Sequence, residues 1–198
     1  MKDRRPTASR RGDAGGGVRI GAGTLRGRRF AVPPGARPTE SRVREALFSI
    51  WQDRLPNSLW LDLFAGSGAM GIEAVSRGAL SATFVESDRG AVRVLERNLS
   101  LLAPGSARLV STPVERALVE LAGEPEAQRF DLVFADPPYA WRVPAEMFAA
   151  IARVAAAHAE LAIEHAARAS LPDRERPWVR RLERRYGDSA LSVYGRLE

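Results

Sequence analysis

From Leu59 to Glu164 apolar and polar positions alternate between two rhythms. Short apolar runs at Leu59 to Leu63, Ala82 to Glu86, Ala107 to Val110, Phe130 to Ala135 and Glu160 to Glu164 read as buried strands. Between them apolar residues return every three or four positions, which predicts helices over Gly68 to Arg77, Asp88 to Leu102, Val114 to Leu121 and Val143 to Ala156. In the second of these Ala91, Val92, Leu95 and Leu99 share one side. The β-α-β-α order predicts an α/β fold with a mostly parallel sheet and helices on both faces. At the end, Trp178 to Tyr186 and Leu191 to Leu197, joined through Gly187-Asp188, predict an antiparallel hairpin.

The pattern ahead of Leu59 is different. Residues 1–17 hold Arg, Gly, Ala and Ser with almost no large apolar side chain, so they are expected to form a disordered basic arm. Val18-Arg19-Ile20 alternates, Gly21 to Gly23 can turn, and Leu25 to Val32 resumes, which predicts a small β-hairpin ended by Pro33 and Pro34. A helix follows from Glu40 to Gln52, with Thr39 as its N-cap and Val43, Leu47, Ile50 and Trp51 on one face. Arg42 and Arg44 fall off that stripe, placed either for plain solvation or for gripping a phosphate or cofactor. The organisation expected is therefore an arm at 1–17, a hairpin-and-helix extension at 18–56 and a main domain at 57–198.

Composition narrows the chemistry. The 198 residues suffice for one domain with a real core. The absence of cysteine excludes disulfides, thiolate metal sites and cysteine catalysis. With only His158 and His165, no histidine-rich metal site is expected; each reads as a surface or strand-end residue. No apolar run approaches the roughly 18 residues of a membrane helix, and no apolar stretch follows the basic N-terminal residues, so a cytoplasmic protein is expected. Charge is the more telling property. Residues 1–44 carry twelve Lys/Arg against three Asp/Glu, so the net +6 of the chain divides into +9 there and −3 over the rest. Clustering of this kind points to a polyanionic partner, with Arg26, Arg28 and Arg29 exposed on the hairpin.

Two stretches carry chemistry. Leu61-Asp62-Leu63-Phe64-Ala65-Gly66-Ser67-Gly68 joins the first strand to the first helix; Gly66, Gly68 and Gly71 fit G-x-G-x-x-G, and Glu86 ends the next strand. A dinucleotide would fit the glycines, but Asp62 would repel a pyrophosphate and suits a cationic amine. S-adenosylmethionine accounts for both, with its ammonium near Asp62, the loop backbone at Gly66 and Gly68, and its ribose hydroxyls on Glu86. The second stretch, Asp136-Pro137-Pro138-Tyr139, follows the strand ending at Ala135. Two prolines fix the backbone and remove two N–H donors, so the Asp136 carboxylate and the carbonyls are held ready to accept the hydrogens of a planar amino group while Tyr139 stacks on its ring. By itself this could be a turn leaving a strand; the methyl-donor loop makes it an acceptor site.

The hairpin from Arg19-Ile20 to Phe30, Arg37-Pro38-Thr39 with Arg42-Val43-Arg44-Glu45, Asp62 to Gly68, Glu86-Ser87-Asp88 and Asp136 to Tyr139 together resemble, in order, the bacterial small-subunit (16S) ribosomal RNA guanine-N2 methyltransferases; Tyr186-Gly187 and Val193-Tyr194 fit as well. The resemblance implies a Rossmann-like class I S-adenosylmethionine-dependent methyltransferase acting on a guanine amine of small-subunit RNA, as a monomer without a metal. On the quoted motifs it implies a cofactor shell that adds Phe64, Ala65, Ser87 and Thr39 to Asp62, Gly66, Gly68, Glu86 and Asp136. Arg19 and Arg42 join Arg26, Arg28 and Arg29 as RNA contacts. Ser111-Thr112-Pro113-Val114 departs from the polar Asp or Asn that many relatives place near the adenine, which leaves Thr112 or backbone groups for that role. Catalysis is expected from Asp136, the Pro137 carbonyl and Tyr139. An adenine-N6 methyltransferase would use the same four residues, and a non-catalytic RNA-binding assembly factor could retain the fold.

Overall fold

A computed structural model describes residues 17–33, 41–102, 105–123, 129–138 and 143–197. A two-stranded hairpin comes first, β1 (Val18–Arg19) against β2 (Arg29–Phe30), followed by α1 (Ser41–Ile50). The alternating region then gives β3 (Leu59–Leu63), α2 (Ala69–Ser76), β4 (Ser81–Val85), α3 (Arg89–Leu102), β5 (Ala107–Val110), α4 (Val114–Gly123), β6 (Phe130–Ala135), α5 (Ala145–Val154) and β7 (Ala155–Ala166). Short β8 (Arg174–Glu175) precedes the closing hairpin of β9 (Trp178–Tyr186) and β10 (Ser189–Arg196). All strands from β3 onward join one eight-stranded sheet in the order β5-β4-β3-β6-β7-β10-β9-β8. The members from β5 to β7 are parallel, and β10, β9 and β8 add in antiparallel fashion.

Side chains alternate between two cores because successive strand residues point to opposite faces. Trp60, Phe84, Leu132, Phe134 and Ala162 pack on one face beneath α1, α2 and α3. On the other, Leu61, Leu63, Val133, Ala135 and Ile163 meet Val114, Leu118, Phe148 and Ile151 of α4 and α5. Both faces are apolar, which is why the strands read as unbroken apolar runs. Each fully buried large side chain contributes about 1.5–3 kcal/mol. Ile20 and Phe30 of the N-terminal hairpin belong to the first of these cores, together with Val43, Leu47 and Trp51 of α1. The extension is thus packed onto the sheet rather than tethered to it.

Most element ends fall within a residue or two of expectation; the largest shift between adjoining elements is at the last helix and the strand after it. The helix expected to reach Ala156 stops at Val154, and the strand expected at Glu160 to Glu164 begins at Ala155. The C-cap Ala155 has φ −88° and ψ 146°, already extended, and pairs with Phe130 of β6. Sheet pairing has overridden the helical preference of an alanine-rich stretch.

Candidate active site

The chain moves outward from β3 to β4 and β5, then returns through α4 to place β6 on the other side of β3. That reversal opens a crevice beyond the carboxyl ends of β3 and β6, the usual ligand position in an open α/β sheet. Leu63 lies opposite Val85 on one side and Ala135 on the other, so the residues just after β3, β4 and β6 emerge side by side. Backbone bonds tie the exits together. The Ala65 N–H donates to Val85 O at 2.9 Å, Glu86 N–H to Val110 O at 3.2 Å and Asp136 N–H to Leu63 O at 3.3 Å.

In the loop after β3, Phe64, Gly66 and Gly68 all take positive φ, at 62°, 54° and 81°. For Phe64 that conformation costs about 1–3 kcal/mol, a strain of the kind that gathers at ligand sites. The glycines differ in what they permit. A Cβ on Gly66 would meet nothing within 4 Å, so this position leaves open space beside the backbone. A Cβ on Gly68 would stand 2.5 Å from Leu95 Cδ1, and one on Gly71 would stand 2.4 Å from Phe84 Cε1. The last two therefore let α2 settle against α3 and β4.

Three carboxylates surround this loop. Asp62 is buried, and its Oδ2 accepts the Gly71 N–H at 2.9 Å. Burial raises its pKa well above the ordinary carboxylate value; the Gly71 bond pulls the other way, and the negative charges of Asp136 and Glu86 add to the rise. Asp62 thus shapes the first turn of α2, a task additional to the expected contact with an amine. Glu86 holds the loop from the other side: Oε2 accepts the Gly66 N–H at 2.8 Å, and Oε1 accepts Ser87 and Asp88 N–H at 2.7 and 2.8 Å. A carboxylate has about four acceptor positions, so this arrangement leaves room for one hydroxyl, and holding two requires release of a backbone N–H. Asp136 is half-buried, Pro137 buried and Pro138 exposed.

Of the other expected cofactor residues, Ala65 is buried beside the loop, Ser87 is exposed, and Thr112 is half-buried with its N–H on Val110 O at 3.1 Å, turning the chain out of β5. Thr39 and Tyr139 lie outside the described residues. Two residues that the sequence did not single out join the site. Glu164, buried, is one residue beyond the Ala135 and Ile163 pairing and so flanks Asp136. Asn98 of α3 accepts the Ala31 N–H at 3.1 Å and donates from Nδ2 to Ala31 O and Ser67 O, each at 2.9 Å. One buried amide therefore joins the strand leaving the hairpin to the glycine loop.

The hairpin shows why arginine is useful there. Arg19 and Arg29 are cross-strand partners, both exposed, while Ile20 and Phe30 are buried. Like charges facing each other destabilise a strand pair, and an anion beside them would relieve that repulsion. Arg26, Arg28 and Arg42 are exposed as well. Arg44 has a different role from those considered above. It is buried, its Nε 3.0 Å from Glu73 Oε2 and its Nη2 donating to Arg19 O at 3.3 Å, while Arg77 Nη2 approaches Glu73 Oε1 at 2.6 Å. The hairpin turn closes over the same helix, where Thr24 N–H donates to Ser76 O at 2.8 Å. Gly23 at φ +82° is required there, since a Cβ would fall 1.7 Å from Ser76 O.

Against known proteins, residues 18–195 match the family model described as Conserved hypothetical protein 95. Ribosomal RNA small subunit methyltransferase D of Escherichia coli K12 is 44% identical over 126 residues, a match spanning 63% of this chain and 61% of that protein. Among solved structures, Escherichia coli yhhF has a TM-score of 0.77 at 36% identity, covering 91% of this chain and 98% of that one. The Thermus thermophilus protein TTHA0928 also has a TM-score of 0.77, at 38% identity over 89% of this chain and 98% of its own.

Proposed function

The chain belongs to the Conserved hypothetical protein 95 family, and from that premise we propose that it transfers a methyl group from S-adenosylmethionine to the N2 amine of a guanine in small-subunit (16S) ribosomal RNA. The observation carrying this reading is the convergence of Asp62, Glu86 and Asp136 on three adjoining strand ends around a loop with open space at Gly66. Three mutually repelling carboxylates suit a cationic ligand, which relieves their repulsion. The residues present fit that cofactor: Glu86 for a ribose hydroxyl, the Gly66 region for close backbone approach, and the acidic mouth for its positive charge. When bound, it supplies an electrophilic sulfonium methyl.

The protein's own part is to make a poor nucleophile reactive. The guanine N2 lone pair is delocalised into the ring. The Asp136 carboxylate and the Pro137 carbonyl accept the two N–H bonds of the amine, and Tyr139 stacks on the base. This orients the lone pair toward the methyl donor and stabilises positive charge as it develops on nitrogen, so positioning and electrostatics lower the barrier. The base enters the crevice unstacked. RNA is held through Arg19, Arg26, Arg28, Arg29 and Arg42. All three carboxylates come from one chain, so a single copy carries the whole acidic site; the reading takes the protein as a monomer, in the cytoplasm with the ribosomal particles. No helix among the described residues is long and apolar enough to cross a membrane.

Asp136→Ala tests the reading. Cofactor binding by calorimetry should weaken only modestly, because Asp62 and Glu86 still supply an acidic mouth, while methyl transfer to undermodified small-subunit particles falls by about 100-fold or more, the scale of a lost transition-state hydrogen-bond partner. Near-normal turnover in that variant would remove Asp136 from the mechanism.

A further inference from the structure

A second arginine surface lies on β9, on the opposite flank of the crevice from the hairpin. Trp178–Tyr186 contains Arg180, Arg181, Arg184 and Arg185 against a single acid, Glu183. Arg180 is engaged by Asp173 and by Glu183. Arg181 reaches Glu160 at 3.3 Å with its side chain 58% exposed, and Arg185 lies 3.8 Å from Glu183. Arg184 is exposed and makes no ion pair among the described residues. The short β8 pairs only with Val179 and Trp178, so from Arg180 to Tyr186 one edge of β9 has no strand neighbour among the described residues.

Charged residues on an edge strand commonly serve to block sheet-to-sheet association. Register argues for more. Arg184, Leu191 and Glu164 form one cross-strand row, and Glu164 is one step beyond Ile163, the partner of Ala135. Asp136 therefore lies three strand spacings from Arg184, about 14 Å. Cross-strand partners point to the same face, so Arg184 projects on the face that carries Asp136. Leu182, Tyr186 and Leu191 pack on that same face, in the core that also contains Ile20 and Phe30 of the hairpin. Arg181 points the same way, because Glu160 accepts Trp51 Nε1–H of α1 at 2.6 Å. Half-exposed Tyr186 adds a ring beside the arginines, a combination that suits unpaired nucleic acid. Arg185, paired in register with Ala190, projects to the other face.

We propose that Arg184 and Tyr186 form a second RNA-binding surface, so that the strand carrying the target base crosses the crevice and is gripped on both flanks, by the hairpin and by β9. This rests on the RNA reading given above. Two contacts straddling the pocket would hold the backbone taut on either side of the base to be unstacked, which a single basic patch cannot do.

The test compares Arg184→Glu with Arg185→Glu, equal changes of charge on opposite faces of one strand, using protein-free small-subunit ribosomal RNA as the probe. Among the described residues Arg184 makes no ion pair whose loss would unsettle folding. For Arg184→Glu, affinity should fall by about fivefold or more and the slope of log affinity against log salt should flatten by about 0.7, the value of one lost phosphate contact on a single strand. Calorimetric binding of S-adenosylmethionine should be unchanged, and Arg185→Glu should lose less than half as much in log affinity. Equal losses in the two variants would mean that only net charge matters, and no loss in either would mean that β9 does not touch RNA; both results overturn the inference. Failure of the wild-type protein to methylate RNA would overturn the proposed function instead, and the binding comparison would still decide the surface.

Discussion

Replacing Glu73 by glutamine would leave Arg44 as an uncompensated buried cation. Glu73 and Arg44 are 2% and 8% exposed, and the carboxylate bridges Arg44 at 3.0 Å and Arg77 at 2.6 Å. Arg77, with 24% of its side chain exposed and its guanidinium over the Phe48 ring, can recover solvent when the carboxylate is neutralised. Arg44 cannot, and among the described residues it then has no carboxylate partner, only the Arg19 carbonyl and the neutral amide oxygen of the new glutamine. Breaking a buried pair from one side costs about 3–5 kcal/mol, and the partial exposure of Arg77 argues for the lower end, about 3 kcal/mol. For a chain of this length that lowers Tm by about 6–12 °C. Urea titration of Glu73→Gln measures the loss directly, with an unchanged m-value if unfolding stays two-state. Arg44→Met combined with Glu73→Leu removes both charges and should be more stable than Glu73→Gln. A loss below about 1 kcal/mol for Glu73→Gln would refute the claim that this ion cluster fastens the hairpin and α1 to α2.

Gly71→Ala should destabilise by about 1–3 kcal/mol through overpacking and weaken cofactor binding by calorimetry, because the new Cβ would lie 2.4 Å from Phe84 Cε1 and 3.2 Å from Asp62 Oδ2; wild-type values for both would contradict the close-packing role. Neutralising Arg26, Arg28 and Arg29 together should flatten the salt slope of RNA binding by about 2, and an unchanged slope would remove the hairpin from the interface. His165 is buried with Nε2 2.9 Å from Ser192 Oγ, and burial lowers its pKa from 6.5. The native state then binds fewer protons than the unfolded chain as pH falls through 6.5, so stability should decline below that point and the decline should be shallower in His165→Gln; parallel pH profiles would contradict this.

The alternation of short apolar runs with helical periods carried the fold, since a parallel sheet buried on both faces leaves that signature residue by residue. β3, β5 and β6 lie where the pattern puts them. β7 did not, because Ala155 to His158 has helical composition, yet Ala155 is already extended and paired with Phe130 of β6, ahead of the register shift that brings Glu160 opposite Leu132. At the site, the glycine loop, Glu86 and Asp136 were legible through spacing after strands. Arg44 was not: its partner Glu73 lies 29 positions later on a different helix, and its neighbours suggest only a residue off an apolar stripe. Asn98 was silent for the same reason, a single polar residue on an amphipathic helix whose three bonds go to backbone 31 and 67 positions away. The row from Arg184 to Glu164 exists only once β10 is inserted between β9 and β7.

The proposed transfer is tested most directly by the product. Undermodified small-subunit particles incubated with the protein and methyl-labelled S-adenosylmethionine, then digested to nucleosides for mass spectrometry, should give label in N2-methylguanosine with the wild-type chain and almost none with Asp136→Ala. Label in N6-methyladenosine, or no label in RNA at all, would contradict the account.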